Sequence, residues 1–192
     1  MKTLLCIILS LFPLIDYYPQ EKLADSFPFS DGKIIYTDVI QADSTSKEEL
    51  YNRAKRWVID SFNSGKDVIQ LDNKENGEII TKGFFSVYWK VSKVYIQEVN
   101  VWQTLRIQIK DNRFKYEFYD YELKYYVTNT GDVNSSLEDW IKNWDNAIIE
   151  KPRITKSMIP EIRSFLLSID PKVKAQISSL VIAMQTKNKD NW

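Results

Sequence analysis

The stretch VWQTLRIQIKDNRFKYEFYDYELKYY, residues 101–126, decides the fold because it predicts a β-hairpin with one well-specified register. Its tip, Lys110-Asp111-Asn112-Arg113, contains two residues that tolerate a positive φ in a tight turn. If Lys110 faces Arg113, apolar residues alternate onto one face of the pair and polar residues onto the other. The predicted apolar pairs are Ile109 with Phe114, Ile107 with Tyr116 and Leu105 with Phe118, and the polar pairs are Gln108 with Lys115 and Arg106 with Glu117. A slip by one residue would exchange the two faces, so burial of the apolar face fixes the register.

The second strand of this hairpin changes phase along its length. Its apolar residues are even-numbered up to Phe118 and odd-numbered from Tyr119 onward. One extra residue in a strand produces such a change, so we predict a β-bulge near Phe118–Tyr119. Burial of both faces of the strand is the alternative explanation.

The remaining strands are predicted from short runs rich in β-branched and aromatic residues. Gly83 lies within the longest of them and predicts a bulge or a close approach of another group. Residues 128–136 are predicted to be a loop, which contains one glycosylation acceptor pattern at Asn134. Besides the hairpin, the predicted strands are Lys33–Ile40, Lys66–Asp72 and Glu78–Trp89.

Helices are predicted where apolar residues recur at helical spacing. Ser46 is the N-cap of the first helix, which Ser64-Gly65 ends. A short amphipathic helix follows at 137–150, then a helix from Ile159 to Ile169, and another begins at Asp170-Pro171. The predicted fold is α+β: a single antiparallel five-stranded sheet in the order β-α-β-β-β-β-α, with the helices packed on one face. One domain would span 33–188 with a helical insertion near 137–150, and 189–192 would be a frayed tail.

Composition and charge exclude several classes of function. The chain has 192 residues, enough for one domain, with 26 basic and 26 acidic side chains and a net charge of zero. This balance argues against a nucleic-acid partner and against electrostatic docking on anionic lipid. Histidine is absent, which removes Ser-His-Asp catalysis and the commonest zinc ligand. There is no Gly-rich phosphate loop, so no cofactor is predicted.

The N-terminus predicts export. Lys2 precedes an apolar run, Leu4–Leu14, that is too short for a membrane-spanning helix of about 20 residues. We therefore expect a signal peptide over approximately 1–20, a mobile leader over 21–32, and a periplasmic, cell-envelope or secreted protein without a transmembrane segment in its mature chain. A buried N-terminal strand or helix is the alternative. Cys6, the one cysteine, would be lost with the signal peptide.

Three stretches resemble a family of small secreted bacterial proteins of unknown function that have a TBP-like (TATA-binding-protein-like) fold. They are KEELYNRAKRWVIDSF at Lys47–Phe62, DVIQLDNKENGEIITKG at Asp67–Gly83, and the hairpin tip KDNRFKY at Lys110–Tyr116. The family pattern usually has glycine in the hairpin tip, where this chain has Asn112. The resemblance implies the fold and export, and it transfers no active residues. The TBP-like fold does not by itself imply DNA binding.

Two acidic motifs are candidates for chemistry. Asp72–Gly77 (DNKENG) has a faint likeness to a calcium loop, but Lys74 stands where such a loop needs an oxygen ligand, so a solvated turn is favoured. Asp120 and Glu122 are the nearest carboxylate pair for glycoside hydrolysis. Solvent-facing strand charges are the simpler interpretation of this pair. We therefore predict no catalytic residue and no metal site.

Aromatic residues provide the stronger functional hypothesis. If the apolar face of the hairpin packs against helices, other apolar side chains point to the opposite face of the sheet, where such patches often mark a contact with a protein or ligand. Alternatively, the leader or residues 137–150 fold over this face as ordinary core. The main hypothesis is a non-catalytic binding module for an unknown protein or small envelope ligand, and the alternative is a cell-envelope enzyme of carboxylate type. The predicted binding residues are Ile80, Phe84, Tyr88, Trp102, Tyr119 and Tyr121.

Overall fold

A computed structural model describes residues 22–62, 68–128, 130–150 and 159–186. The predicted signal peptide, the predicted helix stop at Ser64-Gly65, the start of the predicted strand at Lys66 and the tail at 189–192 lie outside these residues. The described strands are β1 (Phe29–Ser30), β2 (Lys33–Ile34), β3 (Tyr36–Gln41), β4 (Ile69–Asn73), β5 (Glu78–Lys90), β6 (Ile96–Lys110), β7 (Arg113–Val127) and β8 (Gly131–Ser136). The described α-helices are α1 (Lys47–Ser61), α2 (Leu137–Glu150), α3 (Ile159–Leu167) and α4 (Ile169–Gln185).

The main sheet is antiparallel, as predicted, but it has six strands instead of five. Its order is β3-β7-β6-β5-β4, and β8 pairs with the second half of β7, beyond the segment that pairs with β3. A separate two-stranded sheet, β1-β2, precedes it. The prediction of a loop over 128–136 is wrong because β8 is held by backbone hydrogen bonds, which do not require the apolar alternation that marks a buried strand.

The hairpin has the predicted register. Ile109 pairs with Phe114, and the pairing continues to Leu105 with Phe118. Asn112 occupies the turn at φ +64°, which asparagine tolerates well. The bulge is also present, but it lies just after the predicted position, around Asp120, whose φ is +55°.

The inner face of the sheet forms the core with the helices. Helix α1 is capped by Ser46, whose Oγ accepts a hydrogen bond from the Glu49 amide at 3.2 Å, and it packs its apolar stripe on β5 and β6. Gly83 is the predicted site of close approach: a Cβ there would lie 2.4 Å from Cε1 of Phe62. Glycine is therefore required for the end of α1 to pack on β5.

The predicted mobile leader is an ordered part of the fold over its described residues. Leu23 and Phe27 are buried. The amides of Leu23 and Ala24 donate to the Asp145 carboxylate of α2 at 2.8 and 3.1 Å. The sequence shows no local sign of this docking because its partners lie more than 100 residues away along the chain.

Helix α2, the predicted insertion, packs on the same side of the sheet as the other helices. The Trp140 ring lies 5.7 Å from that of Trp89, an inner-face residue, and Phe165 of α3 stacks on Trp89 at the same distance. These contacts place α2, and with it the leader residues bound to Asp145, on the inner side of the sheet. No helix within the described ranges is long and apolar enough to cross a membrane.

Candidate binding face

The outer face is the side of the main sheet opposite the helices. Cross-strand partners point to the same side, so the buried pair Ile79–Ile107 marks the inner face and the next pair, Ile80–Arg106, marks the outer face. Five of the six predicted binding residues lie on the outer face. They are Ile80, Phe84, Tyr88, Trp102 and Tyr119.

Tyr121, the sixth predicted residue, lies in the core. It is 1% exposed, and its ring meets the Tyr36 ring edge-on with centroids 6.1 Å apart. The bulge is the reason: Tyr119 pairs with Thr104, but Trp102 pairs with Glu122, because β7 accommodates one extra residue at Asp120. The prediction that Tyr121 shares the outer face with Trp102 is therefore wrong. Burial raises the pKa of the Tyr121 hydroxyl well above its ordinary value.

Phe84, Tyr88 and Trp102 form an aromatic patch on the outer face. The Phe84 and Trp102 rings lie 5.0 Å apart and are tilted by 37°. Phe84 is 46% exposed and Tyr88 is 65% exposed. The Lys124 ammonium lies 4.6 Å from the Trp102 ring centroid, at cation–π distance. The patch thus presents aromatic rings to solvent, with one cation beside them.

A ladder of ion pairs crosses the middle of the outer face. Arg106 is its centre: its Nη2 lies 2.6 Å from Glu78, and its Nη1 lies 3.6 Å from Glu117. Lys115 Nζ lies 2.7 Å from the same Glu117 carboxylate. The hydrogen bond to Glu78 raises the pKa of the Arg106 guanidinium. The predicted Arg106–Glu117 pair is present, but Glu78 on the other neighbouring strand is the nearer partner.

A cleft opens beyond this ladder, at the end of the sheet where the β6–β7 hairpin turns. Its volume is about 370 Å³. The turn between β4 and β5 contributes Asn76, and β3 contributes Val39, which is 49% exposed. The charged side chains that line it are Glu78, Arg106, Lys110, Arg113 and Lys115. Four cations and one carboxylate make this end of the outer face basic.

Comparison with known proteins identifies the domain that carries this face. Residues 36–124 match the sequence model of a family described as a domain of unknown function (DUF4468) with a TBP-like fold. Residues 36–124 form a DUF4468 domain. This domain runs from the start of β3 into β7, so it includes the aromatic patch and all the charged residues of the cleft.

Two solved structures resemble the chain in fold. A DUF4468 family protein from Bacteroides ovatus ATCC 8483 has a TM-score of 0.59 at 15% identity, over 88% of this chain and 95% of that one. A TBP-like protein from Parabacteroides distasonis ATCC 8503 has a TM-score of 0.55 at 23% identity, over 81% of this chain and 97% of that one. None of the curated proteins compared with the chain matches it. The predicted family and the predicted α+β TBP-like fold are confirmed, whereas the predicted single five-stranded sheet is wrong.

The acidic motifs of the DUF4468 domain serve local roles. In the DNKENG turn, Asp72 accepts hydrogen bonds from Tyr51 and Lys55, and Lys74 pairs with Glu48 at 2.7 Å. Elsewhere, Asp120 is exposed at the bulge. Over the described ranges, no group of three or more acidic, histidine or cysteine side chains is arranged to hold a metal ion.

The basic cleft is the part of the DUF4468 domain's outer face that the sequence prediction missed. One local signal was available, because the predicted register already places Lys110 opposite Arg113. The contribution of Asn76 had no such signal, since it depends on how the β4–β5 turn lies against the hairpin.

Proposed function

We propose that this protein is a non-catalytic binding module that holds a protein or a small envelope ligand on its outer face. The observation that carries the proposal is the Phe84–Trp102 ring pair, which stands at the surface of a sheet face that no described helix covers. Phe84 remains 46% exposed, so much of the free energy available from burying its ring has not been used in folding.

The surroundings of the patch also favour binding. Aromatic rings can bury a large area on a partner at little cost in side-chain entropy, and they are enriched at the centres of interfaces. Here the rings stand on β5 and β6, paired from Glu78–Gln108 to Lys90–Ile96. A paired sheet holds them in place before a ligand arrives, which reduces the ordering cost of binding.

The geometry gives no comparable support to a carboxylate enzyme. A general acid needs surroundings that keep it protonated at neutral pH. Glu122 instead lies on the outer face in ion pairs, 3.4 Å from Lys124 and 3.7 Å from Lys82. Its proposed partner, Asp120, is solvent-exposed. We therefore retain the binding module as the proposed function.

Export is part of the proposal. The apolar run Leu4–Leu14 after Lys2 supports a signal peptide over about 1–20. Expression of the full chain in bacteria, followed by N-terminal sequencing of the periplasmic fraction, tests this. A mature N-terminus between residues 15 and 21 is expected. Recovery of an intact Met1 from the cytoplasm would refute export.

Capture from the native envelope tests the binding function. The bait is the full chain after any processing, and the comparison variant is Phe84→Ser/Trp102→Ser. A matched control is Ile182→Ser, which removes an apolar side chain that is 65% exposed on α4. The proposal expects one species retained by wild type and Ile182→Ser and lost from the double variant. Equal retention by all three proteins would refute it.

A further inference from the structure

The end of the β6–β7 hairpin carries two like charges in direct opposition. Lys110 and Arg113 are the last cross-strand pair before the turn, and both point to the outer face. Like charges placed directly opposite each other destabilise a strand pair. The Lys115 ammonium, also on the outer face of β7, adds a third cation to the lining of the cleft. The fold therefore concentrates positive charge beside a turn that would be more stable without it.

The acidic residue of the turn does not neutralise this charge. The Asp111 carboxylate accepts a hydrogen bond from the Lys47 amide at 2.7 Å, at the start of α1 on the inner side. Among the described residues, no acidic side chain lies within 4.0 Å of the charged groups of Lys110 or Arg113. By contrast, Arg106 and Lys115 are compensated by Glu78 and Glu117. The uncompensated positive charge of the cleft thus belongs to Lys110 and Arg113.

The cleft also has the size and lining of a small-molecule site. Its volume of about 370 Å³ falls within the range of ligand pockets, about 300–1,000 Å³. Gln108 and Asn76 add side-chain amides, which are neutral hydrogen-bond donors, and the exposed Val39 side chain adds an apolar wall. A guanidinium and an ammonium facing one space favour an oxyanion, since arginine can bind it through two parallel hydrogen bonds.

We infer that this cleft binds a small molecule through a phosphate or carboxylate group held by Lys110 and Arg113. The inference rests on the proposed function, because it places the ligand on the same outer face, and it adds the chemical class of that ligand. A long polyanion fits less well. The chain as a whole has no net charge, and in the cleft only Lys110 and Arg113 lack an acidic partner among the described residues.

Titration with two simple anions tests the inference. The full chain is titrated with pyrophosphate and separately with citrate at constant ionic strength, followed by calorimetry and by the backbone amide NMR signals. The comparison variant is Lys110→Gln/Arg113→Gln. The matched control is Lys90→Gln/Lys93→Gln, which removes two exposed positive charges at the other end of the β5–β6 hairpin.

We expect at least one anion to bind with shifts centred on residues 108–115. The affinity should fall at least tenfold in Lys110→Gln/Arg113→Gln and stay unchanged in the control. Removing the like-charge pair should leave the melting temperature equal or higher, so a loss of binding will not reflect unfolding. Binding of pyrophosphate alone would indicate a phosphate ligand, and binding of citrate alone would indicate a carboxylate ligand. The inference is overturned if neither anion binds or if both double variants lose affinity equally.

The same proteins separate this inference from the proposed function. Phe84→Ser/Trp102→Ser should still bind the anion, because the aromatic patch is not part of the lining of the cleft. If the anion does not bind but envelope capture depends on Phe84 and Trp102, only the anion site fails. If the anion binds in the cleft but Phe84→Ser/Trp102→Ser captures the same species as wild type, the anion site is supported and the role of the aromatic patch is refuted.

Discussion

The two faces of the β6–β7 hairpin are made of alternating residues of the same strands, yet they differ in burial and in the interactions of their side chains. On the inner face, Leu105, Ile107 and Phe118 are fully buried against helices. On the outer face, their neighbours Arg106 and Glu117 are ion-paired with side-chain exposures of 38% and 22%. Packing against the helices explains why these three inner residues are apolar. It does not explain the exposed aromatic rings of the outer face, or the cations Lys110 and Arg113, which have no acidic partner among the described residues. This difference is why we propose a function for the outer face.

The largest difference between the faces should appear in stability. Phe118→Ala removes a fully buried ring and should lower the free energy of unfolding by about 3–5 kcal/mol. Phe84→Ala removes the same group from the outer face, where it is 46% exposed, and should cost about 1 kcal/mol. Urea unfolding of both variants measures this contrast. Similar losses would mean that the outer face is also core.

The bulge gives the second test, because it moves one tyrosine from one face to the other. Tyr121→Ala should cost about 3 kcal/mol, since the ring is buried against Tyr36. Tyr119→Ala, two residues earlier on the outer face, should cost about 1 kcal/mol. The same unfolding assay compares them. A larger loss for Tyr119→Ala would mean that Tyr119, and not Tyr121, is the buried ring, and it would contradict the position of the bulge.

A smaller effect is expected where α1 approaches the sheet. Gly83→Ala would place a Cβ 2.4 Å from the Phe62 ring, and we expect a loss of about 1–3 kcal/mol from overpacking. In a Phe62→Ala background the ring is gone, so the added methyl group should cost much less. Equal costs in both backgrounds, measured by a double-mutant cycle, would show that this contact does not explain the glycine.

The smallest effect concerns pH at the rim of the inner face. Hydrogen bonds from Lys55 and then Tyr51 lower the pKa of the Asp72 carboxyl. A lowered folded-state pKa stabilises the protein above the unfolded value, about 3.9, and this stability is lost as the pH falls through the folded value. Asp72→Asn should therefore lower the free energy of unfolding by about 0.5–1 kcal/mol at pH 7. The loss is small because the Lys55–Asp72 ion pair is partly exposed to solvent.

The stability gap between wild type and Asp72→Asn should close as the pH falls below about 4. Asp60→Asn is the control, since Asp60 is an exposed acid of α1 with no ion pair within the described parts of the chain. Unfolding curves at several pH values provide the comparison. A gap that persists unchanged at pH 2 would refute the electrostatic origin of the effect.

Local patterns were sufficient to predict the elements that alternate strongly. The hairpin register, β5 and the α1 cap follow from the spacing of apolar side chains and from turn chemistry. The structure places the start of β4 at Ile69, later than predicted. The sequence did not predict β8, because its residues GDVNSS lack an apolar alternation and are held by backbone pairing with β7. The docking of Leu23 depends on Asp145, a contact between distant residues that no local pattern encodes.

The sequence predicted the candidate site correctly wherever the alternation of side chains along a strand is enough to decide their face of the sheet. Ile80, Phe84, Tyr88 and Trp102 lie on strands without an irregularity between them, so alternation placed them correctly. Tyr121 lies just past the bulge, and alternation continued through the bulge without its one-residue shift gives the wrong face. The basic cleft required knowledge of how separate turns meet in space.

The most direct test of the central claim is the melting temperature of Tyr88→Ser/Trp102→Ser, measured beside that of Phe118→Ala. If the outer face is a binding surface, the double variant should lose no more than about 4 °C, whereas the single core variant loses about 6 °C or more. A loss in the double variant as large as that of Phe118→Ala would show that the aromatic patch serves the fold, and it would contradict the assignment of function to the outer face.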